Sequence, residues 1–326
     1  MLSDVFVDRY ENLALWTVWS PSDQKLLTQC TQIVKEDLFP VRKAKDGKDM
    51  NESEWALATK LLCRELGVQS LSPTHYQTPN GASWKYSARQ QALNFLAKQP
   101  ADPRNVDKFI KDRLSFVELM FRRAHENALQ NEKGSPFLRQ LSQQETNALA
   151  IAAEEINVRF ARAGAPLNYH NGFIQVSRDS VVAREVERPF WSLVDNPRWV
   201  NVDLEMKEAI DRRDSGQSDA AFYAGKALES TVKVIAHERN WTTGKEKGGA
   251  DHASNLFSAT GDRFLNEWQL QSIKYIFSRL RNPFGHGAGV GEAPALSTEE
   301  IDWAISMCMT WISLLVKRHE RSHCAD

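Results

Sequence analysis

The sequence predicts a mainly α protein with an N-terminal helical domain, a short β-hairpin junction and a C-terminal four-helix bundle. Three observations carry this. Apolar residues recur at helical spacing through most of the chain, as in Leu26, Leu27, Cys30, Ile33, Val34 and Leu38. The segment Leu167 to Val176 reads instead as a hairpin, because Asn171-Gly172 supplies the two positive-φ residues of a type I′ turn. The long amphipathic patterns after it can bury their apolar faces only against one another, which makes a bundle. A chain of 326 residues is long enough for about two domains. The expected divisions are 1–164 for the N-terminal helical domain, 165–200 for the hairpin and a connecting helix, and 201–326 for the bundle.

Each element has a local signal. Ser20-Pro21 with Asp23 starts the first long helix and Phe39-Pro40 ends it. Arg42 to Asp49 is a charged loop. A second helix covers about Glu52 to Leu66 and stops at Gly67. Pro73, Pro79, Asn80 and Gly81 make Gly67 to Lys85 a turn-rich loop. Helices follow at about Ser87–Lys98 and Pro103–Asn127, the latter with Asp102 as cap. Ser142 with Glu145 reads as a capping box for a helix that ends near Gly164. Asp179 caps a helix that Pro189 interrupts, and a short helix covers about Asp203–Arg213. Three long helices complete the chain: Asp219–Arg239, about Asn266–Asn282, and one that Ser297 and Glu300 open and Val316 nears the end of. Ile301, Ile305, Cys308, Trp311, Ile312 and Leu315 form its apolar stripe, and Lys317, Arg318 and His319 complement the helix dipole.

Composition narrows the function classes. Hydrophobic residues at 42% and charged residues at 25% are ordinary for a soluble globular protein. MLSDVFVDRYE is acidic where a secretory signal would be basic, and Ala304 to Val316 is too short to span a bilayer. Cys30, Cys63, Cys308 and Cys324 are scattered, which fits reduced thiols in a cytoplasmic protein. The net charge of −1 gives no global pull on nucleic acid, so an RNA site must be a local patch.

The most informative stretch is Arg281-Asn282-Pro283-Phe284-Gly285-His286. It places an always-charged guanidinium and a titratable imidazole five positions apart, at the end of the pattern Leu270, Ile273, Phe277, Leu280. On an unbroken helix such positions point roughly 140° apart. Pro283 lacks an N–H, and Gly285 and Gly287 tolerate unusual dihedrals, so the helix is expected to kink or end and let His286 swing beside Arg281. These two groups suffice to cut RNA without a metal: the imidazole takes a proton from a ribose 2′-hydroxyl and the guanidinium holds charge on the phosphate. The alternative is a helix C-terminus where Arg281 and His286 satisfy the last carbonyls. Asn282 fits either reading, contacting the phosphate or ending the helix.

With its flanks, the stretch resembles the C-terminal region of the HEPN superfamily, in its abortive-infection AbiJ-type branch. The resemblance covers about Leu167 to Arg318. It rests on NYHNGFIQVSRDSVVAREVERPFW, on DAAFYAGKALESTVKVIAHERNW with its ALES-x-x-K, on the RN…GHG helix end and on STEEIDWAISMCMTWISLLVKRH. It implies a HEPN-like four-helix bundle, Arg281 and His286 as an R-x4-H pair and Asn282 as the polar residue after the arginine. It further implies a homodimer with two such motifs facing across a cleft, no cofactor or metal, RNA such as tRNA as substrate, and a toxin or phage-defence role. A phage-derived trigger or an antitoxin would be a partner, and the N-terminal half would sense the trigger or restrain the nuclease.

Other residues carry paired readings. Glu229 either holds the tautomer of His286 or forms an ordinary i,i+4 pair with Lys233. Arg279 and Lys274, like Lys245 and Lys247, either contact RNA phosphates or are solvated. The alternating glycines 285, 287, 289 and 291 read as a connector, and His319, His323 and Cys324 as a frayed tail that holds no metal. Two rivals to the nuclease stay open: a HEPN module that binds nucleotide, RNA or a partner without turnover, and a helical adaptor in which the Arg281–His286 stretch is a cap.

Overall fold

The computed structural model describes residues 5–177, 179–257, 263–281 and 296–323. Helix makes up 68% of it, and two small hairpins are the β elements among the described residues. The chain divides into two compact units, Met1–Ser177 and Arg178–Asp326, each with its own apolar core. Among the described residues no helix is long and apolar enough to cross a membrane.

The N-terminal unit is built around one helix. It contains α1 (Phe6–Arg9), α2 (Pro21–Gln32), α3 (Glu52–Glu65), β1 (His75–Gln77), β2 (Ser83–Lys85), α4 (Ala88–Ala97), α5 (Val106–Glu132), α6 (Pro136–Ala163), β3 (Leu167–His170) and β4 (Phe173–Val176). α2 opens with a complete Ser20/Asp23 capping box and runs into a π-helical stretch, Ile33–Leu38. α5 is the hub, and α1, α2, α3 and α6 all pack on it. It buries Ile110, Leu114, Phe116, Val117, Met120 and Phe121, together with the charged Lys111, Glu118 and Arg122. Each of these charges is compensated, as burial demands. Lys111 Nζ donates to the carbonyls of Tyr10 (2.7 Å) and Leu13 (2.6 Å). Glu118 receives Arg9 and Arg122, both at 2.6 Å, and the Ile174 N–H at 2.7 Å.

That carboxylate pins β3–β4 to α5. Arg122 Nε donates to Gly172 O (2.8 Å), and the guanidinium groups of Arg122 and Arg9 lie 4.1 and 5.0 Å from the Phe173 ring centroid. Asn171 (φ 41) and Gly172 (φ 87) turn the hairpin, with Leu167 facing Val176 and His170 facing Phe173. The hairpin therefore belongs to the N-terminal core. Two local expectations fail. β1–β2 is a second hairpin, inside the stretch that reads as a loop. α6 starts at Pro136, capped by Ser135, so Ser142 and Glu145 are interior. Ser142 Oγ donates to Ala128 O (2.8 Å) and Glu145 accepts from Asn131 (2.8 Å), both on α5. A capping-box spacing also suits two polar residues that tie one helix to its neighbour.

The C-terminal unit contains α7 (Ser180–Val182), α8 (Arg188–Val194), α9 (Val200–Asp214), α10 (Ala220–Glu238), α11 (Gly249–Asn255), α12 (Glu267–Ile276) and α13 (Thr298–His323). A π turn, Ala183–Glu187, joins α7 to α8, so Pro189 opens a helical segment instead of breaking one. α9, α10, α12 and α13 form the four-helix bundle. α10 is its centre: Ala220, Ala221, Ala224 and Ala227 are buried small residues that let neighbouring helices approach closely, while Leu228, Val232 and Ile235 fill the core. Trp191, Trp199, Met206, Ile273, Ile305, Met309 and Ile312 complete it.

Candidate active site

α12 leads directly into the turn that carries the arginine of the motif. Asn266 and Gln269 cap it reciprocally at 3.2 Å, and Leu270, Ile273 and Ile276 bury its inner face. After Ile276 the winding changes to a π turn, Phe277–Arg281, whose last residue is Arg281. Single π turns inside α-helices recur at functional sites. Here the turn ends two positions before Pro283, which has no N–H to extend α-helical bonding. Phe277 and Leu280 keep the turn on the core. Asn282 and His286, and the glycines from Gly285 to Gly291, lie outside the described residues, and of Arg281 the main chain is described.

Glu229 of α10 sits beside that turn. Its carboxylate pairs with Lys233 at 2.6 Å, but the two ends differ: the Glu229 side chain is 4% exposed and the Lys233 side chain 47%. The pair thus has a buried anion and a solvated cation, unlike a surface i,i+4 pair. Gly249 shows how tightly the three elements meet. A Cβ there would lie 3.0 Å from Glu229 Cγ and 3.1 Å from Phe277 Cε2, so only glycine fits without displacement. One turn away, Glu205 of α9 accepts from Ser230 Oγ (2.6 Å) and pairs with Lys226 (3.3 Å). Burial pushes its carboxyl above the usual range, the Glu229 charge adds to this, and Ser230 and Lys226 oppose it. α10 therefore presents a polar strip of Lys226, Glu229, Ser230 and Lys233 beside its apolar core face.

Residues 4–192, more than half the chain, match a family model described as AbiJ N-terminal domain 4. The chain belongs to the AbiJ family. Residues 200–319 match a model described as a HEPN-like domain, so the four-helix bundle is the HEPN-like domain of an abortive-infection protein. No curated protein and no solved structure matches the chain. The N-terminal family model extends to residue 192, whereas the first packing unit closes at Ser177. In this AbiJ protein the segment with α7 and most of α8 thus packs into the HEPN-like unit, where Phe190, Trp191 and Val194 are core residues.

The remaining sequence candidates are placed as follows. Arg279 is exposed with its guanidinium 5.6 Å from the Tyr275 ring centroid, and Lys274 is half-buried on the same helix. His319 is not part of a frayed tail. It is wholly buried in α13; Arg239 Nε donates to its Nδ1 (3.3 Å), and its Nε2 is 2.8 Å from Glu238 Oε2. Compensating groups on α10 hold it, and sequence adjacency to His323 conceals them.

Sequence reasoning also missed a groove of about 850 Å³ between α12 with its π turn and α13. Tyr275, Arg279, Leu280, Trp303, Met307 and Trp311 line it. Trp268, Tyr275 and Trp303 are 64%, 62% and 62% exposed. The signal was present: Trp303, Met307 and Trp311 recur at i, i+4, i+8, a second apolar stripe on α13 that the first stripe masked. Trp311, expected in the core stripe, is half-buried at this groove.

Proposed function

We propose that the HEPN-like domain is a metal-independent endoribonuclease, acting as a homodimer with a composite R-x4-H site. The observation that carries this is the end of α12: within a HEPN-like match, the arginine of the motif closes a π turn packed beside a buried, lysine-paired glutamate. In this reading His286 of one copy takes the proton from a ribose 2′-hydroxyl. The 2′-oxygen attacks the adjacent phosphorus in line, the bond to the 5′-oxygen breaks, and the protonated imidazole of the second copy returns a proton to the leaving oxygen. The products are a 2′,3′-cyclic phosphate and a 5′-hydroxyl. Arg281 holds the charge that builds on the phosphate oxygens, Asn282 contacts the phosphate, and Glu229 with Lys233 positions the pair. Acid–base help of this kind contributes about 10²–10⁴-fold, and a positioned charge donor about another 10²–10³-fold.

The exposed aromatic groove supports the dimer. It borders the turn that holds Arg281, and an exposed apolar patch of this kind marks an interaction surface. RNA such as tRNA is the substrate in this reading. Arg279 and Lys274 grip flanking phosphates, and the N-terminal unit answers a phage-derived trigger or an antitoxin in the cytoplasm.

Mixed subunits test the composite site. Heterodimers of wild-type and His286→Ala subunits should lose activity about as completely as the His286→Ala homodimer, because each cleavage draws on the imidazoles of both copies. The fragments should carry 2′,3′-cyclic phosphate ends and form in EDTA, with the rate falling below about pH 6 as an imidazole of ordinary pKa ~6.5 becomes charged. RNA binding with no cleavage by the wild type would leave a non-catalytic HEPN module.

A further inference from the structure

One corner of the N-terminal unit joins exposed cations to exposed aromatic rings. The first component is the turn Arg42–Met50, closed by Ala44 N to Lys48 O (2.8 Å) and Met50 N to Arg42 O (2.7 Å). It displays Arg42, Lys43, Lys45 and Lys48 to solvent. Of its acids, Asp46 is paired with Lys48 (3.2 Å), and Asp49 is half-buried and committed to Arg89 (3.3 Å). The second component is the hairpin β1–β2. Tyr76 faces Trp84 across the strands, and Tyr86 N bonds Thr74 O (2.9 Å), so alternation puts Tyr76, Trp84 and Tyr86 on one face. The Tyr76 and Tyr86 rings lie 4.7 Å apart, while Trp84 is 59% exposed and Tyr76 41%.

The two components share one anchor, the first turn of α4, which follows the hairpin directly. The Glu52 carboxylate accepts from Ala88 N. Arg89 donates to Phe39 O (2.8 Å) and Lys35 O (3.1 Å) and holds Asp49 at the base of the basic turn. The cations and the rings are therefore fixed to one rigid point. A protein with net charge −1 has no general attraction for polyanions, so binding here would rest on the local charge of this corner.

We propose that this corner binds single-stranded nucleic acid, with bases stacked on Trp84 and Tyr76 and phosphates held by Arg42, Lys43 and Lys45. Flat exposed rings and mobile cations match the two chemistries that an unpaired strand offers together. A duplex hides its base faces and satisfies only the cations. The site lies outside the R-x4-H motif and stands whether or not that motif cuts RNA.

The test uses the full chain and a fluorescent 12-nucleotide oligodeoxythymidine, which has no 2′-hydroxyl and so cannot be cleaved by the proposed route. Anisotropy should show the single strand binding more tightly than a duplex of equal length. Trp84→Ala should weaken single-strand binding about tenfold and leave duplex binding unchanged. Lys43→Gln with Lys45→Gln should lower the slope of log K against log salt by about 1.4, the loss of two phosphate contacts. All three side chains are exposed, so urea midpoints should stay at the wild-type value. No single-strand binding by the wild type, or equal affinity and salt slope in all three proteins, would overturn the proposal. An equal loss on duplex and single strand from Trp84→Ala would do the same.

Discussion

Glu118 and Glu187 are both buried carboxylates, and the two units treat them in opposite ways. Glu118, in the N-terminal unit, sits between two buried guanidinium groups and a backbone N–H. Glu187, in the C-terminal unit, feels the charge of Arg213, which also pairs with Asp214 (2.9 Å) and Asp302 (3.5 Å). Burial pushes the Glu187 carboxyl up to about 7; Arg213 opposes this, and the charges of Asp214, Asp302 and Asp179 add to it. The N-terminal core is thus closed in charge around its hairpin. In the HEPN-like unit, Glu187 lies among the charges of Asp214, Asp302 and Asp179, which hold its carboxyl up. The first arrangement is a fixed scaffold, whereas the second ties packing to protonation.

Removing the compensation at Glu118 should have the largest effect on stability. Glu118→Gln removes the charged group that Arg9 and Arg122 share, and breaking a buried ion pair costs about 3–5 kcal/mol. Urea unfolding should show that loss, and a change under about 1 kcal/mol would erase the contrast between the units.

At Glu187 the prediction is a pH dependence of defined sign. A carboxyl whose pKa rises from 4.5 unfolded to about 7 folded keeps its proton longer in the native state. Its stabilising contribution is complete below pH 4.5 and is lost as pH rises to about 7, by ~3 kcal/mol at most. The difference between wild type and Glu187→Gln, followed by urea unfolding at pH 5 and pH 8, isolates that group. Equal differences at both pH values would show that Glu187 is ionised throughout.

Smaller effects sharpen the picture at single contacts. Gly249→Ala drives a methyl against Glu229 and Phe277, an overpacking that costs about 1–3 kcal/mol. If Glu229 positions the motif, RNA cleavage should fall further than stability does. Ser135→Ala removes the cap of α6 and should cost about 1 kcal/mol, confined to the N-terminal unit.

Much of the fold was legible because its helices announce their ends. Ser20 with Asp23, Gly67 at φ 64, Gly164 at φ 67 and Ser297 with Glu300 all act where their chemistry places them. The Asn171-Gly172 turn was equally plain. The β1–β2 hairpin was not, because both of its faces are exposed and no apolar alternation toward a core marks it. Compensation across long sequence gaps was also hidden. His319 depends on Glu238 and Arg239, and Glu187 on Arg213, pairings that exist only once the bundle is packed. The π turns at Ala183 and Phe277 leave the apolar pattern intact, so periodicity alone reads them as α-helix. At the candidate site the motif itself was legible, while the burial of Glu229 beside Phe277 needed coordinates.

The most direct measurement is the cleavage rate of total RNA in EDTA by wild type and by His286→Ala at equal concentration and neutral pH, with the same urea midpoint confirmed for both. The account predicts cleavage by the wild type and a loss of about 10²-fold or more in the variant. Equal rates in the two proteins, or no cleavage by the wild type in any oligomeric state, would contradict it.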